Sequence, residues 1–74
     1  MQKTVEIHTS IKVQERDIVI IQSLADGFKP KEIGENLKLS PRTVEQRLAV
    51  MKAQLNLKST IQLVIFFIRN NLIK

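Results

Sequence analysis

Glu45, Gln46 and Ala49 lie on a segment whose apolar residues Val44, Leu48, Met51 and Leu55 recur 4, 3 and 4 positions apart. At about 100° per residue that seam occupies roughly 60° of a helix circumference. The opposite face then carries Arg42, Gln46, Ala49 and Ala53, flanked by Glu45 on one side and by Thr43 and Val50 on the other. A glutamine amide can pair bidentately with adenine, a glutamate can accept from cytosine N4, and an alanine methyl can touch a thymine methyl, each good bidentate contact discriminating by ~1–3 kcal/mol. Ala49 and Ala53 are small enough to let the helix approach base edges closely. A solvated helix surface is the competing reading of Gln46 and of Glu45. Phosphates repel an acidic residue that misses its base, so Glu45 is either a specific cytosine contact or a discriminator against wrong sequences.

Around this face stand groups suited to the nucleic-acid backbone. Ser40 and Thr43 can donate hydroxyls to phosphate at a helix start, where free N–H groups also favour an anion. Lys31, Arg42, Arg47 and Lys58 can reach the flanking strands, although Arg47, at the edge of the seam, can equally brace the fold. Such contacts set affinity and register, not sequence preference.

Four helices are needed to hold these groups. The first is expected over residues 15–26, with Ile18, Ile21 and Ala25 joined by Ile20 and Leu24 in a broad buried stripe, and Gly27 closing it. The second runs over 30–37, opened by Pro30 and anchored by Ile33 and Leu37. Lys38 and Leu39 make a tight turn, Ser40 caps and Pro41 opens the third helix, 41–55, and Asn56 stops it. Ser59 and Gln62 form a capping-box pattern for the fourth, 60–71. The second and third helices make a helix-turn-helix, the geometry that presents a helix to the major groove. Residues 1–12 are expected to be an extended tail or linker and 13–74 the folded domain. Over residues 2–13 Val5, Ile7, Ile11 and Val13 alternate with Glu6, His8 and Lys12, a strand-like period. A lone strand must dock on the helices, pair with a second copy, or serve as linker.

On the fourth helix Ile61, Ile65, Ile68 and Leu72 are expected to face the core. That leaves Leu63, Phe66 and Phe67, with Asn70, as an association patch. A symmetric dimer through it would set two reading helices about one DNA turn, ~34 Å, apart on an inverted repeat. Docking onto a regulatory domain, or burial under residues 2–13, are the alternatives.

Composition narrows the class. The 74 residues leave room for one small domain. The net charge is +5, and between Lys29 and Lys58 seven basic residues oppose three acidic ones, a footprint of a polyanion partner or of a solvated lysine-rich surface. There is no cysteine and a single histidine, His8, so no cofactor or metal is expected. No glycine-rich phosphate loop is present, and Glu15 and Asp17 beside Arg16 read as helix-start charges, not an acid–base pair. An enzyme is therefore not expected. The longest apolar run, Leu63 to Ile68, is far short of the ~20 residues that span a bilayer, and no signal-peptide pattern opens the chain. A cytoplasmic protein with no membrane partner is the expectation.

From Val13 to Ile73, about four fifths of the chain, the sequence resembles the LuxR-type, or GerE-like, helix-turn-helix domain. The family's Lys-Glu-Ile-Ala, Ser-Pro-Arg-Thr-Val and Leu-Gly-Val-Lys-Ser segments read here Lys31-Glu32-Ile33-Gly34, Ser40-Pro41-Arg42-Thr43-Val44 and Leu55-Asn56-Leu57-Lys58-Ser59, at matching spacing. The resemblance implies an all-α, four-helix fold with the third helix as reader and the fourth as a common dimer contact. It also implies base contacts at positions 45, 46 and 49 and phosphate contacts from Lys31, Thr43 and Lys58. Family members often carry basic or polar residues where Glu45 and Ala49 stand. Gln14 replaces the usual threonine cap, and Val19 the second acid of an Arg-Glu-x-Glu segment. Such domains usually follow a receiver or ligand-sensing domain and sometimes act alone, which implies the output domain of a transcriptional regulator binding double-stranded DNA. A regulatory domain and RNA polymerase are the further partners implied, the latter because the shape resembles the promoter-contacting region of sigma factors. The alternative function is a helical protein-docking module using the apolar face of the fourth helix.

Overall fold

The computed structural model describes residues 4–6 and 12–74. Two short strands, β1 (Thr4–Glu6) and β2 (Lys12–Gln14), pair antiparallel with Val5 opposite Val13. Four helices follow: α1 (Glu15–Ala25), α2 (Pro30–Leu37), α3 (Pro41–Gln54) and α4 (Thr60–Arg69). The all-α, four-helix expectation holds, with the hairpin as a small addition. Ile7, His8 and Ile11 lie outside the described residues.

Each helix begins and ends where its local chemistry directs. The Glu32 carboxylate accepts the Lys29 N–H at 2.9 Å ahead of Pro30. Ser40 Oγ accepts the Thr43 N–H at 3.1 Å, and Ser59 Oγ that of Gln62, also at 3.1 Å. These bonds satisfy N–H groups that have no partner within the helix. Left-handed residues close the other ends: Gly27, Lys38, Asn56 and Asn71 all have positive φ. The Phe28, Leu57 and Leu72 N–H groups fold back onto the carbonyls of Ser23, Lys52 and Phe67, as in a Schellman closure.

The turn between α2 and α3 is set by one glycine. The Leu39 N–H donates to the Gly34 carbonyl at 2.7 Å, drawing the turn tightly over α2. A Cβ at Gly34 would run into the Leu39 carbonyl oxygen. An absent side chain thus lets the two helices of the motif cross this closely.

The core gathers Ile20 and Ile21 of α1, Ile33 of α2, Val44, Leu48 and Met51 of α3, and Leu63 and Phe67 of α4. Val13 and Ile73 close it from either end of the helical domain. The α3 seam is buried as expected, apart from half-buried Leu55. On α1, Ile18 and Leu24 are half-buried and Ala25 is exposed.

α4 is rotated relative to expectation. Leu63 and Phe67 are fully buried, whereas Ile61 is 73% exposed, Ile65 41% and Ile68 44%. Leu72 is half-buried. Leu63 and Phe67 are therefore core residues and not an association surface. The helix is apolar on nearly every side, so its period alone cannot say which stripe turns inward. Packing against α1 and α3 favours the larger phenylalanine side chain. Half-buried Phe66 stays at the boundary, its ring edge-on to that of Phe67 with centroids 6.3 Å apart. The Asn70 amide donates to the Phe66 carbonyl at 2.8 Å, so it closes the helix end.

Candidate nucleic-acid interface

α3 turns Arg42, Glu45, Gln46, Ala49 and Ala53 to the outside while Val44, Leu48 and Met51 are buried beneath. The face is thus available along its whole length, with a long polar edge at its N-terminal half and small side chains beyond. Thr43 and Val50 are half-buried at its margin. Glu45 has no hydrogen-bond or ion-pair partner among the described residues. Lys31, Lys38 and Lys58 are also exposed, on α2 and in the turns that bracket α3.

At the N-terminus of α3 the Ser40 and Thr43 hydroxyls lie 2.9 Å apart. One proton makes this bond, and the other remains for an outside acceptor. Here the helix dipole and its uncommitted N–H groups favour negative charge. The capping geometry and an anion-facing hydroxyl are therefore compatible on the same two residues.

Arg47 departs from the expected set. Its Nη2 donates to Asp17 Oδ2 at 2.8 Å and its Nε to Asp17 Oδ1 at 3.1 Å. Asp17 is 1% exposed and Arg47 33%. Asp17 is a helix-start charge as expected, its carboxylate accepting the Gln14 N–H, but it is buried, and Arg47 braces the fold by a bidentate pair with it. Donating hydrogen bonds to the Asp17 carboxylate raises the guanidinium pKa against the opposing effect of burial, with direct charge attraction adding to the rise. A raised value means the arginine's stabilising contribution is complete below the ordinary arginine pKa and is lost only as pH climbs through the raised one. The pair ties α3 to α1 and fixes the rotation of α3 beside Gln46. Two hints of it exist in the sequence: Asp17 precedes Ile20 and Ile21 by one helical turn, and Arg47 borders the apolar seam.

Leu57 of the turn before α4 and Gln62, Ile65, Phe66 and Arg69 of α4 line an open groove of about 330 Å³. Among the described residues no cluster of His, Cys, Asp or Glu is arranged to hold a metal, and no helix is long and apolar enough to cross a membrane.

A short α2, a tight turn over a glycine and an α3 with one buried and one open face define a helix-turn-helix domain of the DNA-binding class. The sequence model of the bacterial regulatory proteins of the luxR family matches residues 13–67, and the chain belongs to that family. Its members are DNA-binding transcription regulators, not enzymes. No curated protein and no solved structure matches the chain significantly.

Proposed function

We propose that this chain binds double-stranded DNA sequence-specifically, with α3 in the major groove, as the output domain of a transcriptional regulator. The observation that carries the reading is the open Gln46–Ala49–Ala53 face directly opposite the buried Val44, Leu48 and Met51. A groove admits such a helix when the contacting side chains are short or bear matching donors and acceptors. Glu45, Gln46 and Ala49 supply base contacts. Lys31, Ser40, Thr43 and Lys58 hold phosphates and set the register.

The exposed Ile61, Ile65 and Ile68 recur at helical spacing and supply a self-complementary stripe for a second copy of this chain. This is the corrected face for the dimer on an inverted repeat. Water contact at three isoleucines on one side of a helix is unfavourable at ~25 cal/mol per Å² of apolar area, and a two-fold pairing removes it. The same stripe supports the second reading, a docking module that binds protein without DNA. Salt titration separates the two. Duplex binding should weaken by a log–log slope of ~0.9 per neutralised phosphate, whereas no duplex affinity at low salt would leave only the docking module. Selection from random duplexes then reports the half-site, and an inverted repeat in the selected pool reports the dimer.

A further inference from the structure

Of the three cations on α3, Arg42, Arg47 and Lys52, only Arg42 stands on the middle of the outward face. Arg47 is held by Asp17, and Lys52 is half-buried beside the seam. At 100° per residue, the direction opposite the mean of Val44, Leu48 and Met51 falls within about 30° of Arg42, about 15° of Gln46 and about 50° of Ala49. Glu45 is about 90° away, on the flank, from which its side chain must reach inward to meet a base. When a helix lies in the major groove, its central line faces the floor, where the base edges are, and its flanks face the phosphate walls. Arg42 is also at the N-terminal end of α3, the part of a reading helix that meets base edges.

We propose that Arg42 reads a guanine through N7 and O6, one helical turn before Gln46. This assignment rests on the DNA-binding reading above and moves Arg42 from the phosphate-contacting set to the base-reading set. The planar fork of a guanidinium matches the two guanine acceptors bidentately, whereas an ammonium meets them as a point charge. Arg42 is exposed and has no hydrogen-bond or ion-pair partner among the described residues, so its whole fork is available. Glu45 follows three positions later, within side-chain reach on a helix. Its negative charge offsets the pull of Arg42 on phosphate, a handicap for a backbone contact. Arg42 and Gln46 are separated by about 6 Å along the helix, close to two base-pair steps of ~3.4 Å. The half-site should therefore hold a guanine and, about two base pairs away, an adenine.

The test compares the wild-type chain with R42A and R42K. Each is selected against random duplexes, then titrated on the wild-type half-site with every guanine replaced in turn by another base or by 7-deazaguanine. One guanine should emerge whose replacement costs the wild-type chain roughly 5- to 150-fold in affinity, whose 7-deaza form also weakens wild-type binding, and whose identity no longer matters to R42A or R42K. Circular dichroism and thermal melting of the variants check that the fold is retained. An R42A defect equal on all sequences, restored by lysine and accompanied by a shallower salt dependence, would make Arg42 a phosphate contact and overturn the assignment alone. A wild-type chain that binds no duplex, or selects no preferred base anywhere, would overturn the DNA-binding reading itself.

Discussion

α3 and α4 each bury one apolar stripe in the same core, yet they show opposite chemistry to the outside. α3 exposes arginine, glutamate, glutamine and two alanines, while α4 exposes three isoleucines. The first surface keeps hydrogen-bonding groups hydrated until a partner with a matching donor–acceptor pattern replaces the water. The second loses free energy in water whatever its neighbours, and gains by meeting any complementary apolar surface. One helix is thus suited to selectivity and the other to association, and the core between them holds the two surfaces in a fixed relation.

Within α4 the contrast between inner and outer positions should be large. Phe67→Ala should cost ~3–5 kcal/mol, enough to unfold much of so small a domain, while Ile61→Ala should change stability by no more than ~0.5 kcal/mol. Urea unfolding of both variants checks this, and equal losses would mean that the rotation of α4 is wrong. Next in size is the brace beneath α3. Arg47→Ala leaves the buried Asp17 carboxylate without its cation and should cost ~3–5 kcal/mol, whereas joint replacement of Asp17 and Arg47 by leucine and methionine should be close to neutral. If Arg47→Ala retained full stability and lost only duplex affinity, Arg47 would belong to the DNA surface after all.

The outer face of α3 should respond differently. Gln46→Ala should leave the unfolding midpoint in place and remove ~1–3 kcal/mol of discrimination at one base position. Base-substitution binding assays on the selected half-site measure it, and preference unchanged at every position would exclude Gln46 from the reading set. The smallest effect is expected from Lys58→Ala. Its affinity loss should be uniform across sequences, with the log–log salt slope reduced by about one. A loss restricted to one operator would count against a phosphate role.

Much of this was legible along the chain. Ser40-Pro41, Ser59 with Gln62, and Gly27 marked helix ends because capping is local: the donor, the acceptor and the turn lie within a few residues of one another. α3 could be oriented from its spacing because its two sides differ in polarity, and Glu45, Gln46 and Ala49 emerged outside as expected. The same method failed on α4, where apolar residues occur on both sides and the hydrophobic pattern has no unique inward direction. It also left the role of Arg47 open, since its partner Asp17 is 30 positions away.

The sequence alone determined where each helix starts, where it stops to within two residues, and which side of α3 is wet, since these follow from interactions between near neighbours and from the period of a polar–apolar alternation. Only the tertiary structure decided that Leu63 and Phe67 turn inward, that Asp17 is buried against Arg47, and that Gly34 must lack a side chain beneath the Leu39 carbonyl. Each of those outcomes depends on the space and charge left by a distant segment, which becomes defined only once the helices pack.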